Sequence, residues 1–134
     1  MKSLFYARLL VVGSFLGAMG VMIGAFGAHF LKSRLAASEL DIIRTGVLYL
    51  FIHVGVIFIV ALLARNNTAS RLLRSAGLFF VMGVILFSGS LFYLATQSLT
   101  GLYISNAGIL TPIGGMCFIT GWGLLLIYSF SLKS

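Results

Sequence analysis

Asp41, Thr45, Tyr49 and His53 recur at every fourth position, a spacing that lines them along one face of a helix. Twelve residues at a rise of 1.5 Å cover about 18 Å, so the ladder starts at the edge of the apolar run Ile42 to Ala64 and ends near its middle. If that run crosses a bilayer, an ionisable side chain at such depth is expensive and marks a proton relay, a ligand contact or a cofactor ligand. His53 is therefore the first candidate for chemistry, with Tyr49 and Thr45 beside it. Ser88, Ser90 and Tyr93 fall in a later apolar run, where they could line a narrow pocket or bond across helices. His29 closes the hexapeptide GAFGAH at 24–29 and reads as an interfacial histidine bonded to a loop carbonyl or water. A structural reading of His53 stands beside the chemical one. Neutral and bonded to Ser88, Ser90 or Thr120, it would only fix packing, a bond worth about 0.6 to 2 kcal/mol in membranes.

Other chemistries find little support. Both carboxylates, Glu39 and Asp41, lie at the boundary of the second apolar run, whereas proton-coupled paths use a relay of several titratable groups inside it. His29 and His53 are separated by a helix break and half a bilayer in depth, so no shared metal is expected, and no cofactor is assigned. Cys117 is alone, which excludes an internal disulfide and multi-cysteine metal motifs. No HExxH, nucleophile elbow, phosphate loop or carboxylate pair occurs, so no catalytic residue is assigned and the chain does not read as an enzyme. The net charge is +7, but the basic residues sit at the ends of apolar runs and form no patch interleaved with aromatics. That pattern fits membrane topology and argues against a nucleic-acid partner.

The elements that hold these residues follow from composition. Of 134 residues 60% are hydrophobic and 8% charged, with a mean hydropathy of +1.15, far from the roughly 25% charged residues of soluble domains. Apolar runs predict an all-α membrane protein, a bundle of four transmembrane helices at 4–30, 39–64, 72–95 and 112–131, each near the roughly 20 residues a span requires. One integral membrane domain is expected over 1–134. The first run exceeds the usual signal-peptide core of about 7 to 15 residues, so it reads as a retained helix. Lys2, Arg8, Arg65, Arg71, Arg74 and Lys133 fall on one side of the bundle and Lys32, Arg34 and Arg44 on the other, which places both termini in the cytoplasm. The sequon at Asn66, Asn67 and Thr68 then lies on the cytoplasmic side, a chance match. Ser38 with Asp41 predicts a cap for the second helix, and Thr111 with Pro112 a cap for the fourth.

Gly13, Gly17, Gly20, Gly24 and Gly27 follow a 4-3-4-3 spacing and form a glycine zipper on one stripe of the first helix. In lipid, close backbone approach is a main source of helix association, and the 3.5-residue period predicts a left-handed crossing. The fourth helix, with Gly114, Gly115 and Gly121, is the expected partner inside the chain, and a second subunit is the other possibility. Trp122 sits at mid-span and requires a partner for its indole N–H.

GAFGAH, Tyr49 with His53, FSGSLFYL at 87–94, TPIGG at 111–115 and Gly121-Trp122 together resemble the domain of unknown function 423 family of small bacterial membrane proteins, relatives of eukaryotic transmembrane protein 256. The resemblance spans the first helix to the last and implies a small multi-pass protein of the bacterial inner membrane, with no established activity, substrate or cofactor. In the family pattern polar residues flank the tyrosine of the second helix, whereas Leu48 and Leu50 surround Tyr49 here, a drier setting that weakens a solute path. The reading that follows is a structural or accessory membrane protein that self-associates, or docks on a larger complex, through its glycine seams. A small solute or proton transporter with a path at His53 is the alternative, and haem or quinone binding a further one.

Overall fold

The computed structural model describes residues 2–66 and 70–132, and for Lys2 and Ser3 the backbone alone. Every regular element in them is helical: α1 (Lys2–His29), α2 (Ala37–Asn66), α3 (Arg71–Gly83), α4 (Gly89–Thr100) and α5 (Leu110–Ser131). A π-helical segment, Val84–Ser88, joins α3 to α4, so Arg71–Thr100 forms one span. Four helices are thereby long and apolar enough to cross a membrane. Asn67 and Thr68 of the sequon, together with Lys133, lie outside the described residues.

Local chemistry sets the helix ends, and it departs from the expected caps. α2 begins at Ala37, and Glu39 reaches back to accept the Ala36 N–H at 2.8 Å, the carboxylate half of a capping box. Ser38 with Asp41 is therefore not the cap; Asp41 pairs instead with Arg44 at 2.7 Å on the exposed surface. Nor does Thr111 cap α5. A short 3-10 turn, Ala107–Ile109, leads directly into the helix, which places Thr111 inside its first turn and frees the hydroxyl for another helix. Pro112 still loses nothing, because the first four helical N–H groups have no partner within the helix. Ser70 caps α3 by accepting the Leu73 N–H at 3.3 Å. The third span runs to Thr100, past residue 95, and stops where Gly101 takes φ 68° and donates to the Gln97 carbonyl at 2.9 Å, a left-handed stop that glycine adopts without strain.

α2 packs against both α1 and the third span, and α5 packs against that span. The core sits where α2 meets α3: Ile57, Val60, Ala61, Leu73, Ala76 and Phe80 have no exposed surface. Among the described residues α1 and α5 do not meet, which corrects the expected pairing of their glycines. The stripe of α1 faces α2 instead. A Cβ added at Gly13 would lie 3.2 Å from the Phe58 ring, at Gly17 3.7 Å from Val54, at Gly20 2.5 Å from Leu50, at Gly24 3.6 Å from Val47 and at Gly27 3.2 Å from Ile43. On α5, Gly114 abuts the backbone of Phe87 in the π segment, and Gly121 would bring a Cβ within 2.9 Å of the Phe80 ring. Gly115 stands off, 3.9 Å from the Phe87 ring. The α1 glycines thus face α2, and Gly114 and Gly121 of α5 face the third span, all within the chain.

Candidate functional site

His53 is 4% exposed, held on α2 where its face turns toward α5. Phe118 and Trp122 stand four residues apart on α5, so both project toward that face. The Phe118 ring lies flat on the imidazole, with centroids 3.5 Å apart and planes 9° apart. Phe80 of α3 flanks it at 5.8 Å, and Tyr49, one turn earlier on α2, at 6.0 Å.

Both ring nitrogens are engaged. The Trp122 indole N–H donates to Nε2 at 3.3 Å, and Nδ1 lies 2.8 Å from the Tyr49 carbonyl. An indole only donates and a carbonyl only accepts. The two partners therefore assign a neutral imidazole with its proton on Nδ1. The arrangement satisfies the polar requirement of both side chains and ties α2 to α5, whose backbones do not otherwise approach. Trp122, 48% exposed, presents the rest of its ring outward.

The other polar candidates bond elsewhere, and none reaches His53. Ser88, fully buried, donates to the Gly46 carbonyl at 2.8 Å and so pins the third span to α2. Ser90 donates to the Phe87 carbonyl at 2.9 Å and meets the Thr111 hydroxyl at 2.7 Å. Thr120, the third partner proposed for His53, returns its hydroxyl to Met116 at 2.9 Å. Thr45 does the same to the Asp41 carbonyl at 2.9 Å. Tyr93 braces the third loop, its hydroxyl donating to the Leu102 carbonyl at 2.7 Å and accepting the Ile104 N–H at 2.6 Å.

The ladder of α2 is thus a set of separate local bonds. His29 is exposed at the end of α1, while His53 lies about 24 Å along α2 from Ala37. The two histidines are not brought together. Among the described residues no group of three His, Cys, Asp or Glu side chains is placed to hold a metal. Cys117 is buried and free. Sequence reasoning missed Phe118 as the stacking partner and Trp122 as the donor. The available signal was their four-residue spacing on a helix, together with the need of a mid-span indole for an acceptor.

A family model described as "Protein of unknown function (DUF423)" matches residues 23–115. The chain is 34% identical over 118 residues to the UPF0382 membrane protein YwdK of Bacillus subtilis, covering 88% of this chain and 92% of that protein. It is 35% identical over 125 residues to the UPF0382 inner membrane protein YgdD of Escherichia coli K12, covering 93% and 91%. With a UPF0382 membrane protein of Haemophilus influenzae the identity is 42% over 120 residues, covering 88% and 90%. No solved structure matches the chain. Four helices able to span a bilayer and these near full-length similarities together establish that the chain belongs to the DUF423 family, membrane proteins of unknown function.

Proposed function

We propose that this chain is a non-catalytic, multi-pass protein of the bacterial inner membrane that serves as a small structural or accessory subunit, one integral domain with both termini in the cytoplasm. One observation carries the reading. His53, the titratable histidine in the interior of the spans, joins α2 to α5 through Nε2 and one ring face while its Nδ1 is held by the Tyr49 carbonyl of its own helix, and so acts as a packing element. A polar path through His53, or haem ligation by it, would need Nε2 released from Trp122. The inner-membrane location draws support from the name of the Escherichia coli relative. The orientation rests on the distribution of Arg65, Arg71 and Arg74 at one end of the bundle, where each would gain about 1 kcal/mol from anionic headgroups.

Because the glycine seams of α1 and α5 are occupied within the chain, association with a partner would use the outward faces. Purification in native-like lipid followed by native mass spectrometry tests the reading. A stoichiometric protein partner or a defined homo-oligomer is expected. A lone subunit holding a small molecule that is lost in His53→Ala would overturn it.

A further inference from the structure

The glycine stripe leaves a space at its outer end. Beside the close approach of Gly24 to Val47 and of Gly27 to Ile43, a cleft of about 540 Å³ lined by Gly24, Gly27 and Ala28 opens between α1 and α2, within the 300 to 1,000 Å³ typical of ligand sites. Ile43, Val47, Leu48 and Phe51 form its opposite wall. From Arg44 to Phe51 the wall descends about 10 Å toward the middle of the span. Leu48 and Phe51 are 57% and 41% exposed, so the cleft opens sideways, toward the lipid.

Its mouth is basic. Lys32 and Arg44 both line it. Asp41 holds Nη1 of Arg44 at 2.7 Å and offsets part of its charge. Among the described residues Lys32 makes no ion pair and no side-chain hydrogen bond. The remaining charges at this end are engaged away from the cleft. Arg34 lies over the Phe30 ring at 3.9 Å, and Glu39 bonds Ser98 at 2.9 Å and the Ala36 N–H. An apolar trough open to the acyl region, headed by an uncommitted ammonium and a partly neutralised guanidinium, matches one kind of molecule in charge and in polarity.

The geometry points to a binding site for an anionic phospholipid of the surrounding leaflet, one acyl chain lying over Gly24 and Gly27 and the phosphate at Lys32 and Arg44. This goes beyond the accessory role and does not depend on it.

The test is native mass spectrometry of the full-length protein in detergent, titrated with equal amounts of phosphatidylglycerol and phosphatidylcholine. One phosphatidylglycerol is expected to persist under conditions that strip phosphatidylcholine. Lys32→Gln should lower that retention about fivefold, and Ala28→Phe, which places a ring in the trough, should remove it. Arg8→Gln, exposed at the other end of α1, should leave it unchanged. Equal retention of the two lipids overturns the site, and so does a loss in Arg8→Gln as large as that in Lys32→Gln. If Ala28→Phe does not fold, Lys32→Glu at its exposed position decides alone, and wild-type retention in that variant overturns the proposal.

Discussion

Glycine marks both outer helices, yet α1 and α5 meet different kinds of neighbour through it. Along α1 each glycine of the stripe faces a side chain of α2, the closest being the far end of Leu50 at Gly20. Side-chain ends can rotate or shift by a few tenths of an ångström. On α5 the closest neighbour of Gly114 is the Phe87 main chain, held within the π segment, and a backbone cannot step aside without moving a whole span. Close packing drives association in lipid in both places. The α1 seam is adjustable and leaves a cleft, whereas the α5 seam is rigid and supports the aromatic cluster around His53.

Substitutions can break that contrast, and Gly114→Ala should act most strongly. Its methyl group would meet the backbone of Phe87, so a loss of about 3 kcal/mol is expected from overpacking. Reversible unfolding in detergent micelles would measure it, and a loss no larger than that of Gly24→Ala would erase the distinction. Gly83→Ala comes next, at about 2 kcal/mol, because the Cβ would press on the Phe118 ring. Displacing that ring also disturbs His53, so the emission of Trp122, the sole tryptophan, should shift in the same variant.

The link between α2 and α5 invites a double-mutant cycle. His53→Phe keeps an aromatic ring but leaves the indole N–H without its acceptor, and Trp122→Phe removes the donor. A coupling of about 0.6 to 2 kcal/mol is expected, read from the unfolding free energies of the two single variants and the pair. Coupling near zero would mean that the indole–imidazole bond contributes nothing beyond ring packing. Gly24→Ala should have the smallest effect, within about 0.5 kcal/mol, since its Cβ would make only an ordinary contact with Val47 at 3.6 Å. A destabilisation as large as that of Gly83→Ala would show the α1 seam to be as rigid as the α5 seam.

Much of the architecture is legible along the chain, and particular residues show where that legibility ends. The 4-3-4-3 spacing of the first helix identifies a stripe, because glycines at that period must share a face. It carries no information on which helix meets the face, and the answer is α2, the next in sequence, rather than α5. The depth of His53 was readable from its place in the apolar run, and the need of Trp122 for an acceptor from the chemistry of an indole. That each satisfies the other depends on the rotation of α2 and α5 about their own axes. Neither sequence segment encodes that rotation by itself. Thr111 looked like a cap because Thr-Pro often starts helices. The 3-10 turn before it moved the helix start and released its hydroxyl to Ser90.

The sequence alone determined that this is a four-span helical membrane protein. Bilayer thickness acts on each run of residues separately, and hydropathy and helical period can be counted without reference to the rest of the chain. Only the tertiary structure decided that the stripe of α1 closes on α2 and leaves a basic-mouthed cleft, and that His53 links two helices whose backbones do not touch. Those outcomes rest on non-local packing, in which the shape of one helix selects the face, depth and rotation of another.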